Sequence, residues 1–191
     1  VWAHATLRRL AWASCAFSAM QMCLNTFLMS HVVRDWQWPV ARAAALVATL
    51  QAGGFAGRLL WGWVARRWNR QRERSVLLLA LLGLAMALAC VALVQAGPRA
   101  AAWPLAFALG LVASGWNGVL VAEVARLAGV QAAGAVTGAV LMFGYAGLAL
   151  APLGFAWVGG AGGPAAAFLL LAAATAVAGL GLLRAAPAAG G

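Results

Sequence analysis

Four uncharged polar side chains, Ser14, Ser18, Gln21 and Asn25, interrupt an apolar run at spacings of four, three and four residues. At about 3.6 residues per turn, that spacing sets all four on one narrow stripe of a helix. Hydroxyls and carboxamides both donate and accept hydrogen bonds. The stripe can therefore wall a watery cavity and hold a solute, or bond to a neighbouring helix. Gln51 and Arg58, seven residues apart in the next apolar run, share a second face. A guanidinium at the centre of a bilayer costs at least ~2.5–3.5 kcal/mol, so Arg58 needs a partner, a solute or a route to water. Its planar fork suits a carboxylate. It also stands eight residues before Arg66, about 12 Å along a helix, close enough for the long side chain to snorkel. Asn117 and Tyr145 add polar atoms further along the chain, and Tyr145 is expected to point inward. These groups bind; they do not catalyse. No phosphate loop, HExxH or nucleophile elbow occurs. His4 and His31 lack metal-ligand spacing, and Cys15, Cys23 and Cys90 are an odd three in apolar runs. Neither an enzyme nor a cofactor or metal is expected.

The elements that must carry these groups follow from composition. The 191 residues are 65% hydrophobic and 8% charged, against about 25% charged in soluble domains. Such a chain faces lipid. A crossing helix needs roughly 20 apolar residues, and six runs qualify: Leu10–Val33, Val40–Val64, Val76–Gln95, Ala102–Ala122, Ala132–Val158 and Pro164–Leu183. Together they predict an all-α membrane protein, a single six-helix domain over 1–191 with short antiparallel connections. The net charge of +10 comes from arginines set against Asp35, Glu73 and Glu123. Arginines gather at the amino end, in the basic loop 65–75, and at Arg126 and Arg184; Arg34, Arg42 and Arg99 lie on the other side. Basic loops mark the cytoplasmic side, so both termini are expected there, and the charge is explained without nucleic acid. Trp36, Trp38 and Trp103 on the outer side, and Trp12, Trp61, Trp63 and Trp68 on the inner, fit interfacial belts.

Glu123, at the inner end of the fourth run, is read as a latch toward the Arg66–Arg74 cluster, since an opposite charge offsets desolvation. Gly53 with Gly57, and Gly134 with Gly138, have the small-xxx-small spacing that lets helix backbones approach. Pro152 should kink the fifth run.

The stretch Gly57-Arg58-Leu59-Leu60-Trp61-Gly62-Trp63-Val64-Ala65-Arg66-Arg67-Trp68-Asn69-Arg70 resembles the major facilitator superfamily signature G-R-x-x-x-G-x-L-A-D-R-x-G-R. Gly62, Ala65, Arg67 and Arg70 match it; Arg66 stands at the aspartate position and Asn69 at the second glycine position. With Gly115-Trp116-Asn117-Gly118 and Ala122-Glu123-Val124-Ala125-Arg126, the chain looks like helices seven to twelve, the carboxy-terminal half of a bacterial inner-membrane permease. The resemblance implies secondary active transport by alternating access. Ser14, Ser18, Gln21, Asn25, Gln51, Arg58, Asn117 and Tyr145 would line the cavity, and Gly62, Arg66, Arg67, Arg70, Glu123 and Arg126 would form a cytoplasmic gate. Glu123 would supply the charge absent at Arg66. It further implies a missing amino-terminal six-helix half, coupling to protons or a counter-solute and, by the placement of Arg58, an organic anion as solute. The alternative is a truncated, non-transporting six-helix subunit or scaffold.

Overall fold

Alanine and leucine, strong helix formers, fill the apolar runs. The computed structural model describes residues 4–68 and 74–184, and among the described residues there is helix and no strand. The helices are α1 (Ala5–Asp35), α2 (Val40–Trp68), α3 (Arg74–Ala96), α4 (Ala102–Ala113) and α5 (Trp116–Leu183). The expected spans 10–33, 40–64 and 76–95 fall inside α1, α2 and α3. The other three fall in α4 and α5. A turn at Ser114 and Gly115 divides 102–122 between α4 and α5, while 132–158 and 164–183 both lie within α5.

A single glycine takes the place of a loop at each junction inside α5. Gly129 (φ 72, ψ 166) and Gly163 (φ 82, ψ 160) are its two non-helical residues, in a region that glycine enters without the steric cost of a Cβ. The chain reverses at both. Across Gly163, the Phe155 and Phe168 rings lie 4.7 Å apart, whereas a straight helix would separate them by about 20 Å. Across Gly129, Asn117 and Leu141 line one cavity, although a straight helix would hold them about 36 Å apart. Pro152 lies within helix and brings no non-helical dihedrals with it.

Three stretches among the described residues are long and apolar enough to cross a membrane: Val40–Arg67, Arg74–Ala96 and Ala102–Leu183. α1 is long enough but less apolar, because Gln21, Asn25 and the serines dilute it. Large apolar side chains point outward, Leu88, Leu153, Trp157 and Val177 among them, as lipid contact requires.

α1 packs chiefly against α5, α2 against α4, and α3 against both α4 and α5. Along the α1 contact, Trp12 meets Phe143, Cys15 meets Gly147 and Phe27 stacks on Phe155, so α1 and segment 130–162 run parallel. The α2–α4 contact is made by backbone. A Cβ on Gly53 would collide with the Phe107 carbonyl, one on Gly57 with the Leu111 carbonyl, and one on Gly110 with the Leu50 carbonyl. Trp61 Nε1 then donates to the Leu111 carbonyl at 2.9 Å. Gly134 and Gly138, with the same spacing, meet nothing within 4 Å. At the far end, Trp36, Trp38 and Trp103 form a ring cluster, with the Arg42 guanidinium 3.9 Å from the Trp38 centroid. This cluster clips the α1–α2 turn to the start of α4.

Alanine at Gly57 or Gly110 should destabilise the purified protein by about 1–3 kcal/mol through overpacking. Alanine at Gly134 or Gly138 should be neutral or stabilising, by up to about 1 kcal/mol from helix propensity. Thermal unfolding in detergent, followed by circular dichroism, separates the two pairs; equal behaviour would show that the α2–α4 contact is loose.

Candidate functional site

The polar stripe of α1 divides according to what faces it. Ser14 is fully buried where α1 crosses segment 130–162; a Cβ on Gly144 would lie 2.6 Å from its Oγ. That hydroxyl has no hydrogen-bond partner among the described residues, and Ser14 lines no part of the cavity. It belongs to the helix contact, which only glycine is small enough to complete. One turn on, Ser18 lies beside the same glycine and reaches a cavity. Ser18, Gln21, Met22 and Asn25 of α1, Asn117 of α5, and Leu141, Gly144, Tyr145 and Leu148 of segment 130–162 line a cavity of about 250 Å³ that opens to the outside.

The carboxamides are paired across helices. Asn117 Nδ2 donates to Gln21 Oε1 at 3.3 Å, and Gln51 Nε2 donates to Asn25 Oδ1 at 2.9 Å. Gln51 thus braces the wall from α2 without lining it. Tyr145 was expected to point inward; it lines the cavity at its mouth and is 66% exposed. Neither α3 nor segment 164–183 contributes a lining residue. Arg58 is exposed on α2 and stands outside the lining. It shares the face of Gln51, as expected, but lies about 10 Å further along the helix axis.

The expected gate residues lie elsewhere. Glu123 is almost wholly buried and accepts two hydrogen bonds from Arg126, from Nε at 2.8 Å and Nη2 at 2.6 Å. Its bidentate partner is therefore Arg126 on its own helix; Arg70 and Arg72 of the expected cluster lie outside the described residues. Charge-assisted pairs of this fork geometry are among the stronger hydrogen bonds. Arg66 and Arg67 are exposed, and Arg67 lies 5.3 Å from the centroid of the Trp63 ring. Gly62 has nothing within 4 Å of where a Cβ would stand. Arg70 lies outside the described residues.

One polar group escaped the reading by spacing. His31, 3% exposed, bonds through Nδ1 to Asp35 Oδ2 at 2.7 Å, while its buried Nε2 has no hydrogen-bond partner among the described residues. The i,i+4 separation was the available signal. His31 was weighed only as a metal ligand and Asp35 only in the charge balance.

Ser14→Ala removes an unsatisfied buried hydroxyl and should stabilise the protein by about 1 kcal/mol, whereas Asn117→Ala breaks a bond between helices and should cost about 0.5–2 kcal/mol. Arg126→Ala leaves a buried carboxylate unpaired and should cost about 1–3 kcal/mol; adding Glu123→Gln should recover part of that loss. Chemical unfolding of the four variants in detergent checks the signs. Comparison with protein-family models, curated proteins and solved structures finds no match for this chain, so the likeness to the major facilitator superfamily rests on the motif residues themselves.

Proposed function

We propose that this chain is the carboxy-terminal half of a secondary transporter of the major facilitator type. It crosses the bacterial inner membrane six times, with both termini in the cytoplasm. The crossings are α1, α2, α3, α4 continued by 116–128, then 130–162 and 164–183. The reversals at Gly129 and Gly163 support this division, and the distribution of arginines supports the orientation. One observation carries the transport reading: uncharged polar side chains from three separate helical segments converge on a single open cavity in an otherwise apolar bundle. Polar groups at membrane depth mark solute pathways, and carriers of this kind hold their solute near the midplane between two rocking bundles.

The second bundle is the amino-terminal half, and its closure over the cavity mouth at Tyr145 occludes the solute. No carboxylate lines the cavity among the described residues. Coupling to protons or to a counter-solute therefore draws on groups outside this lining. The Glu123–Arg126 pair stiffens the inner end of its helix.

In the full-length protein, Gln21→Ala and Asn25→Ala should each lower solute uptake into vesicles at least tenfold, with membrane insertion preserved. Cysteines placed at positions 21 and 25 should react with membrane-impermeant thiol reagents. Unchanged uptake together with unreactive cysteines would favour the scaffold reading instead.

A further inference from the structure

We propose that a groove between α2 and α3 seats one acyl chain of an anionic phospholipid, with the lipid phosphate held at the arginine-rich end of the two helices. Trp61 and Val64 of α2 and Leu78, Leu81 and Ala85 of α3 wall an open space of about 410 Å³, with Val112 of α4 behind it. Every wall belongs to this chain, so the groove depends on the membrane reading alone and not on the solute or the second bundle. The gap follows from the packing. α2 and α3 each lie against α4 but hardly touch one another, which leaves a wedge between them, and Leu81 at its lip is exposed. The one side-chain polar atom of the lining, Trp61 Nε1, is spent on the Leu111 carbonyl at 2.9 Å. A space lined this way stays dry, and in a bilayer hydrocarbon fills it. From Leu78 to Ala85 the groove runs about 10 Å along α3, against about 15 Å for the hydrocarbon of one leaflet. That length suits a chain from one leaflet.

Charge sets the head group. Arg74, Leu78, Leu81 and Ala85 stand at spacings of four, three and four residues, on one face of α3, so Arg74 ends the row that walls the groove. On α2, Arg67 lies one turn beyond Val64, and both arginines are exposed. Arg67 rests 5.3 Å from the centroid of the Trp63 ring, a placement that suits the membrane interface. Guanidinium forks fit phosphate oxygens, and basic pockets between membrane helices take anionic head groups. The groove between 130–162 and 164–183, with Phe155, Leu170 and Ala174 in its lining, gives the contrast. No charged residue occurs from 130 to 183, so nothing on those segments selects a head group. α3 contributes nothing to the cavity that the second bundle closes, which leaves the α2–α3 flank to lipid.

The test is native mass spectrometry of the full-length protein, delipidated in detergent and titrated with phosphatidylglycerol or with phosphatidylcholine of the same acyl chains. One phosphatidylglycerol should bind at least about ten times more tightly than phosphatidylcholine, because two arginines meet its uncompensated charge. Arg67→Gln combined with Arg74→Gln should bring the two lipids within about twofold of each other. Leu81→Trp, which fills the groove, should weaken phosphatidylglycerol about fivefold or more through the lost burial of its chain, while Leu170→Trp in the uncharged groove leaves it unchanged. Inorganic phosphate should not displace the lipid, since the chain supplies part of the hold. Circular dichroism confirms that each variant is folded. Equal binding of the two lipids, or a preference that survives the double arginine variant, would overturn the proposal. Binding untouched by Leu81→Trp, or lost to inorganic phosphate, would put the lipid outside the groove and overturn it as well. No lipid bound by folded protein would mean that another helix covers the groove, with the same result. Solute uptake enters none of these readouts, so failure here leaves the transporter reading standing.

Discussion

Hydrocarbon offers no hydrogen-bond partner, so every polar atom on a helix in this bundle has to be met by another helix, by its own backbone or by an opening to water. α1 carries most of that demand. Its stripe fixes its position: Gln21 bonds Asn117, Asn25 bonds Gln51, and Ser18 lines the cavity. Had α1 been turned outward, four polar side chains would face acyl tails. The cavity is thus a consequence of how the stripe is satisfied, and Ser14, whose hydroxyl goes unmet, shows where close packing took precedence over hydrogen bonding.

Close packing comes from glycine. At the α2–α4 contact the backbones touch because Gly53, Gly57 and Gly110 leave room for facing carbonyls, and at the α1 contact Gly144 and Gly147 do the same for Ser14 and Cys15. With no hydrophobic drive between helices in lipid, such contacts rely on dispersion at short range. They also hold the cavity walls at a fixed spacing, because a helix pinned by its backbone cannot roll its side chains away. The amide pairs then work on a rigid frame.

Helix positions were legible in the sequence because apolar runs of membrane length leave little choice, and the stripe was legible because its period is local. What lay opposite each residue was not. Ser14 and Ser18 have the same type and periodicity and both lie beside Gly144, yet only Ser18 also borders the cavity. Gly53 and Gly134 have the same spacing signal; only the first has a partner, because α4 crosses there. The last three runs were divided at stretches that contain Gly129 and Gly163, but that one glycine at positive φ could stand in for a whole loop there was not legible in a chain with 23 glycines. Glu123 was assigned to the arginines of the loop, and among the described residues it pairs with Arg126, three residues away. Arg58 shares a helix with Gln51 but lies outside the lining of the cavity this chain forms.

The two amide pairs differ greatly in how far apart their members are made. Asn25 and Gln51 are separated by 26 residues, Gln21 and Asn117 by 96. A ribosome adding about 5–20 residues per second exposes the first pair's second member within seconds of the first. The other pair waits several times longer. During biosynthesis, then, Gln21 has left the exit tunnel well before its mate exists. α1 therefore waits with Gln21 unmet until the start of α5 has been made, so the earliest of these helices is among the last to take its final seat.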